Sequence, residues 1–407
     1  MITIPRSTPL VLVCLISVAF AAESDDGPGF QLVESVPVET TLGQPDLPRA
    51  PDVWLEMIQK ARTEICVASF YFSDDPDDDD DPLDRVLKAL AEAGARGVRV
   101  QMLSDKGFHK TYPDIPDRFD ELPGCESRLL DARTAWGGVL HAKYMVVDGQ
   151  VCFVGSQNWD WRALKHIHEL GARIRDEALA GSLRAVFRYD WALAGNEPVP
   201  EQAVDASART LTLAGGGTVT VTMAASPPQA LPVGLPHDLP RLRGVVDRAE
   251  HELRLQVLSY HVTDRDGAEY LELDTALRRA AGRGVQVRII ASNWAKRPSQ
   301  AVWLQSLACL PGIEVRFTNI PPWSGGFVPF GRVEHPKYMV IDGSEGWVST
   351  SNWGPGYFSD SRNVSLFVAG AETAMQLTRI FETSWNSEYA ETVDPGRKDY
   401  EAPRRQE

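Results

Sequence analysis

The sequence has few cysteines and lacks the cysteine pairs that hold structural zinc. It contains 5 cysteines in 407 residues, and none of them stands in a Cys-x-x-Cys spacing. This excludes the common small zinc modules. In an exported chain, Cys66, Cys125, Cys152 and Cys309 could form two disulfides with three connectivities. Cys66 and Cys152 lie in strand-like runs, however, and there buried free thiols are an equal expectation.

Basic residues and long apolar runs are also scarce. The 41 Lys and Arg face 56 Asp and Glu, which gives a formal net charge of −15. A basic footprint over the whole chain, typical of duplex-binding proteins, is therefore absent, and an anionic substrate would need a locally positive pocket. No internal apolar run reaches the ~18 residues of a membrane span. With 43% hydrophobic residues, the composition is that of a globular protein.

One apolar stretch, close to the N-terminus, fits a secretory signal. Arg6 precedes the apolar run from Leu10 to Phe20, and the run ends in the small-x-small pattern Ala19-Phe20-Ala21. We predict a signal peptide over residues 1–22 and therefore an exported protein. At the other end of the chain, residues 391–407 are mostly polar, and they are predicted to form a tail outside the core.

The most informative feature is an internal repeat. Residues 141–149 read HAKYMVVDG, and residues 335–343 read HPKYMVIDG. The similarity continues at the same offset, because SQNW at 156–159 corresponds to TSNW at 350–353. A repeat at this long range indicates two similar structural units rather than a single irregular domain.

Each repeat also alternates strand-like and helix-like segments in the same order, which predicts an α/β fold. We expect a first half over residues 50–195, a linker with an added strand over 196–238, and a second half over 239–390. Each half should be a mixed sheet flanked by helices. The two halves should pack with pseudo-two-fold symmetry around one active site.

The doubled His-x-Lys motif, with an Asp five residues after each lysine, resembles the phospholipase D superfamily. The flanking residues most resemble the animal lysosomal phospholipase-D-like 5′ exonucleases and their poxviral envelope relatives. The resemblance spans nearly all of the chain after the predicted signal. It implies a phosphodiesterase that acts through a phosphohistidine on single-stranded nucleic acid from the 5′ end, with no cofactor and no obligatory metal. The alternatives are a phospholipid phosphodiesterase or phosphatidyl transferase, which would contact a membrane surface, and a non-catalytic envelope or membrane-binding protein.

The residue types of the motif suit phosphoryl transfer. Residues i and i+2 of a strand point the same way, so His141 projects with Lys143, and His335 projects with Lys337. One imidazole could attack phosphorus while the other protonates the leaving oxygen. The lysines would hold the non-bridging oxygens, where charge builds up. The expected additional phosphate ligands are Ser156, Asn158, Thr350 and Asn352.

Two pairs of residues complete the predicted site. Asp148 and Asp342 are counted in the catalytic set, although Asp-Gly is also ordinary hairpin-turn chemistry. Glu169 lies 28 residues after His141, where the family resemblance implies an acid that orients the imidazole, and Asn363 takes the corresponding place in the second half. We therefore expect Glu169 to orient His141 as the proton donor, with His335 as the nucleophile. No metal ligands are expected.

Overall fold

The structure is a computed structural model that describes residues 27–404 except residues 76, 79, 265 and 266. The predicted signal peptide lies outside the described residues. Each half of the chain builds one mixed sheet with helices beside it, which confirms the predicted fold class.

The first half forms the following elements, given in chain order: β1 (Phe30–Ser35), α1 (Ala50–Lys60), β2 (Glu64–Ser69), β3 (Phe72–Ser73), α2 (Pro82–Ala95), β4 (Arg99–Asp105), α3 (Lys106–His109), α4 (Asp114–Asp120), β5 (Cys125–Leu130), α5 (Ala132–Trp136), β6 (Tyr144–Val147), β7 (Val151–Gly155), β8 (Trp159–Asp160), α6 (Trp161–Lys165), β9 (Ile167–Arg175) and α7 (Glu177–Ala194).

The second half repeats this plan with these elements: β10 (Arg209–Thr212), β11 (Thr218–Ser226), α8 (Asp238–Arg248), β12 (Glu252–Val257), α9 (Glu272–Gly282), β13 (Gln286–Ser292), α10 (Pro298–Ala308), β14 (Ile313–Thr318), β15 (Val333–Glu334), β16 (Tyr338–Ile341), β17 (Glu345–Ser349), α11 (Pro355–Ser359), β18 (Asn363–Ala369), α12 (Ala371–Trp385) and β19 (Ala390–Thr392). Short 3₁₀ turns cover Pro228–Ala230 and Asn293–Lys296.

The two sheets share one order of seven strands, and the second sheet adds β10 at one edge and β19 at the other. The first runs β1-β9-β7-β6-β2-β4-β5, and the second runs β10-β11-β18-β17-β16-β12-β13-β14-β19. In each sheet two neighbouring pairs are parallel, namely β2–β4–β5 and β12–β13–β14, and the hairpin strands join antiparallel. The parallel strands β2 and β4 are connected through α2, as a crossover between parallel strands requires.

The hairpin strands alternate between two cores. Tyr144 and Val146 of β6 point into a core that also contains Tyr338 and Val340 of β16. The intervening residue Met145 points the other way, into a core formed with α1 and α2. Because side chains of a strand alternate between faces, one face of the first sheet packs on α1 and α2, and the other packs with α7 and α12 in the core that both halves share. The halves therefore share a continuous core.

Several segments differ from the sequence-based expectation. Residues 196–238, expected as a linker with one added strand, contain the two strands β10 and β11, and β11 pairs with β18 just as β1 pairs with β9. The predicted tail begins within β19 and still buries Tyr400, whose ring packs 5.1 Å from that of Phe317. Strands β5 and β14 were not predicted from the sequence. Both belong to the stretches of chain between the motifs, and β5 is mostly half-buried and polar.

The four described cysteines are all free thiols, so none of the disulfide connectivities is formed. Cys66 and Cys152 are fully buried. Among the described residues, no helix has both the length and the apolar character needed to cross a membrane.

Candidate active site

The two His-x-Lys segments lie immediately before the hairpin strands of their halves. His141 and Lys143 precede β6, and His335 and Lys337 precede β16. Each lysine folds back along its own segment: the Nζ of Lys337 donates to the backbone carbonyl of His335 at 2.7 Å, and the Nζ of Lys143 donates to that of His141. Both lysines are fully buried. The motif residues thus lie just before the strands and not within them as predicted.

Backbone hydrogen bonds attach each motif to the opposite half. The backbone N–H of His141 donates to the carbonyl of Arg362 at 3.0 Å, and that of His335 donates to the carbonyl of His168 at 2.8 Å. His168 lies in β9, and Arg362 comes directly before β18. Each motif is thus seated on the strand that follows the hairpin of the other half. This exchange places both histidines and both lysines in one buried site.

The groups that orient the imidazoles are exchanged in the same way. The Nδ1 atom of His335 lies 2.7 Å from Glu169, and the Nδ1 atom of His141 lies 3.0 Å from the Oδ1 of Asn363. The expectation that Glu169 orients His141 was therefore wrong. Counting along the chain relates Glu169 to the motif of its own half, but β9 and β18 pass beside the motif of the opposite half.

Ser156 and Thr350 support the orienting groups, which differs from their predicted role as phosphate ligands. The Oγ1 of Thr350 donates to the Oδ1 of Asn363 at 2.8 Å and accepts from the backbone N–H of Val364 at 3.0 Å. The Oγ of Ser156 likewise accepts from Leu170 at 3.0 Å and is hydrogen-bonded to Glu169. With these partners, each hydroxyl fixes the side chain that holds a histidine.

Asn158 and Asn352 have the properties expected of ligand-binding amides. Both side chains are buried, and neither Oδ1 atom has a hydrogen-bond partner in the described part of the chain. The Nδ2 of Asn158 makes one long contact of 3.5 Å with the hydroxyl of Tyr71. A buried polar atom left unpaired costs free energy. Rotation about the last side-chain bond exchanges O and N, so either amide can present N–H groups to a phosphate oxygen.

Asp148 and Asp342 have structural positions instead of the predicted catalytic ones. They occupy the hairpin turns with φ values of +52° and +49°. The Asp148 carboxylate accepts the backbone N–H groups of residues 62–64, and that of Asp342 accepts those of residues 250–252. The turns lie at the far ends of β6 and β16 from the histidines, about 13 Å along four strand residues. Both carboxylates fix the start of a neighbouring strand.

Before an anion enters, burial disfavours the charged form of every titratable group in the site. Burial and the charges of Lys143 and Lys337 hold the pKa of His141 well below its usual value, and the same influences together with His141 do so for His335. Burial lowers the pKa of Lys337 to about 7, although Glu169 opposes the shift. Burial also raises the pKa of Glu169 to about 8, against the two lysines. The neutral form of an imidazole has a free nitrogen lone pair, and it is this form that attacks phosphorus.

Buried ion pairs brace the two strand positions that hold the motifs. His168 is fully buried between Glu334 at 2.6 Å and Glu34 at 3.3 Å, and these carboxylates outweigh burial to raise its pKa to about 10. Arg362 is fully buried and makes two bonds of 2.8 and 2.7 Å to Asp190. Neither ion pair was predicted from the sequence. The available signal was the cationic residue directly before Glu169 and before Asn363.

Aromatic rings flank His141 on two sides. The ring of Phe70 lies 5.2 Å from the imidazole, and that of Tyr357 lies 4.8 Å away on the other side. Tyr357 and His261 line a cavity of about 630 Å³ that opens beside the site. Within the described residues, no three or more His, Cys, Asp or Glu side chains form a candidate metal cluster.

Comparisons with known proteins agree with this architecture. A family model described as "Cardiolipin synthase, PLD-like domain" matches residues 54–191 and 242–385, one copy in each half. The mouse 5'-3' exonuclease PLD4 is 32% identical over 401 residues, which cover 89% of this chain and 79% of that protein. Phospholipase D Z of Dictyostelium discoideum is 30% identical over 388 residues, covering 89% of this chain and 90% of that protein.

Among solved structures, phosphatidylserine synthase of Haemophilus influenzae superimposes with a TM-score of 0.58 at 14% identity, covering 84% of this chain and 85% of the other. A likeness at that identity concerns the fold alone. The two matched copies and the extent of similarity to the curated relatives decide the family. This chain belongs to the phospholipase D superfamily of phosphodiesterases, and its two halves each contribute one copy of the family's domain.

Proposed function

We propose that the protein cleaves single-stranded nucleic acid from the 5′ end, through a phosphohistidine and without an obligatory metal. The observation that carries the proposal is the exchange of orienting groups, which gives one buried site two imidazoles with different partners: Glu169 for His335 and Asn363 for His141. Relatives named as 5'-3' exonucleases support the substrate class. A net charge of −15 suits an enzyme that holds one terminal diester better than one that tracks a long polyanion.

In the first step, His335 is the nucleophile. A carboxylate accepts the Nδ1–H of His335, which leaves the Nε2 lone pair free to attack phosphorus. The P–N bond forms as the P–O bond to the leaving group breaks, and His141 gives its proton to the departing oxygen. The bound phosphate anion favours the protonated form of His141, because it offsets the nearby lysine charges.

In the second step, water resolves the intermediate. The now neutral His141 takes a proton from water while the oxygen of that water attacks phosphorus. The P–N bond breaks, and His335 recovers its lone pair. Lys143 and Lys337 bind the non-bridging oxygens, and the amides of Asn158 and Asn352 supply further donors. The two lysines stabilise the charge that builds up on the phosphoryl oxygens in both transition states.

The rival proposal is a phospholipid phosphodiesterase or phosphatidyl transferase that works at a membrane surface. The relative named phospholipase D Z favours it. Export of the chain is a further part of our proposal, and it rests on the apolar run from Leu10 to Phe20. Sequencing the N-terminus of secreted material would test cleavage near residue 22.

A direct assay compares four substrates in EDTA: single-stranded DNA with a free 5′ end, the same DNA circularised, duplex DNA, and phosphatidylcholine vesicles. We expect only the first to be shortened, one nucleotide at a time. Cleavage of the vesicles alone would replace the proposal with its rival. Loss of all activity in EDTA, with recovery on adding a divalent cation, would contradict metal independence.

The covalent step can be tested with a nucleotide p-nitrophenyl ester, whose leaving group needs no proton donor. With His141→Ala, we expect a burst of p-nitrophenol equal to the enzyme concentration, followed by slow turnover, and a nucleotidyl adduct on His335 in the intact mass. His335→Ala is the matched control and should give neither. An adduct on His141 in that control would reverse the two roles.

A further inference from the structure

A cavity beside His141 forms where the two halves meet. Its volume is about 630 Å³. One wall is the segment from Arg133 to Val139, which leads directly into His141. The opposite wall belongs to the second half and includes Tyr357, whose ring lies 4.8 Å from the imidazole. The cavity therefore adjoins the place where the scissile phosphate must lie.

The two walls are in backbone contact. A Cβ atom on Gly138 would lie only 2.2 Å from the carbonyl oxygen of Asp360, so this close approach requires glycine. The backbone N–H of Val139 donates across the same junction to the Oγ of Ser361 at 3.2 Å. The cavity, like the histidine pair, is thus a product of the packing of both halves.

The described lining of the cavity contains few charged side chains. Arg133 is exposed at its rim, and its guanidinium makes no hydrogen bond or ion pair with any of the described residues. Asp264 and Asp360 lie on other parts of the lining. Apart from His261, no second basic side chain is found among the described lining residues. A guanidinium in this state is suited to one bidentate contact with a phosphate.

We propose that this cavity binds the nucleotide next to the scissile diester, and that Arg133 contacts the neighbouring phosphate of the strand. The inference rests on the proposed function and adds a specificity-determining residue to it. A strand of nucleic acid has such a second phosphate, whereas a phosphatidylcholine head group has only the diester that is cut. Arg133 is the one arginine or lysine among the described lining residues, so a single phosphate contact is expected. The half-buried ring of Tyr357 offers a face for the adjoining base.

The test compares two trinucleotides that differ only in the second linkage, which is either a natural phosphate or an uncharged methylphosphonate. The readout is the ratio of their kcat/KM values, because a loss of folded enzyme cancels in that ratio. We expect wild type to prefer the natural trinucleotide about fivefold to tenfold, and Arg133→Gln to reduce the preference to about one. Arg85→Gln, which removes an exposed arginine on α2, should retain the wild-type ratio.

The outcomes separate this inference from the proposed function. If wild type cleaves a dinucleoside monophosphate but shows no preference between the trinucleotides, the proposed function stands and the subsite is wrong. The same conclusion follows if Arg133→Gln keeps the full preference. If wild type cleaves no nucleotide substrate, both proposals fail. As a second measure, the slope of log(kcat/KM) against log[salt] on the natural trinucleotide should become shallower by about one in Arg133→Gln.

Discussion

The Nδ1 atom of His335 lies 2.7 Å from a carboxylate oxygen of Glu169, although the histidine belongs to the second half and the glutamate to the first. The corresponding contact of 3.0 Å joins His141 to Asn363 in the opposite sense. Neither half can orient its own imidazole. A protein built in this way has one active site for two domains, and the different partners make the two histidines chemically unequal.

Replacing the orienting groups should affect the two histidines differently. Glu169→Gln removes the carboxylate that fixes the tautomer of His335, so we expect kcat to fall by about 10²–10⁴-fold with little change in Tm. Asn363→Asp adds a negative charge beside His141 and raises its pKa, so that the proton donor stays protonated to higher pH. The alkaline limb of the kcat/KM profile should therefore move upward in pH. An unchanged profile would show that His141 is not the group that titrates.

Lys337→Met should inactivate the enzyme and stabilise the fold. Burial lowers the pKa of Lys337 to about 7, below the unfolded value of ~10.4. Below pH 7 the lysine is charged in both states, and the folded state bears the full cost of the buried charge. That cost disappears as pH rises from about 7 to ~10.4. A folded pKa of about 7 against ~10.4 corresponds to a gain in unfolding free energy on the order of 4 kcal/mol at pH 6. The gain should be small at pH 10.5, and urea denaturation measures both. A larger gain at the higher pH would contradict this sign.

Asp148→Ala and Asp342→Ala should destabilise the fold and leave the chemical step intact. Burial acts to raise the pKa of each carboxyl, but the backbone hydrogen bonds outweigh it, and the net pKa is lowered. The stabilisation is thus present above the unfolded pKa of ~3.9 and is lost as pH falls through the lower folded value. We expect a loss of about 1–2 kcal/mol at pH 7, measured by denaturation, with kcat per folded molecule unchanged. A hundredfold fall in kcat would show that these two residues take part in catalysis after all.

Ser156 and Asn158 should separate into different kinetic classes, although they stand two residues apart. Ser156→Ala loosens Glu169, so kcat should fall about tenfold while KM is nearly constant. Asn158→Ala removes a donor to the phosphate in ground and transition states alike, so KM should rise by a similar factor. Thr350→Val is the corresponding substitution in the second half, and it should also lower kcat while KM stays nearly constant. A rise in KM alone for Ser156→Ala would show that the hydroxyl of Ser156 binds the phosphate, as the sequence predicted.

The repeat in the sequence was sufficient to predict much of this protein. Residues 141–149 and 335–343 share a pattern that repeats at one offset. The strand-like and helix-like segments that alternate in each repeat predicted two α/β halves. Strand β5 could not be found in this way, whereas β14 has buried residues at every second position, Ile313, Val315 and Phe317, and this period of two is a signal that the sequence did offer. β5 lies in a loop between the motifs, and its polar, half-buried residues carry little of the hydrophobic periodicity on which strand prediction depends.

By itself, the sequence determined the composition of the site: two histidines, two lysines, and a glutamate and an asparagine at matching places. Only the tertiary structure decided which groups meet. Hydrophobic pattern and spacing report which face of a strand is buried, and they contain no information about which partner lies across a domain interface. That choice was made where β9 and β18 cross to the opposite motif, and it gave Glu169 to His335 and Asn363 to His141.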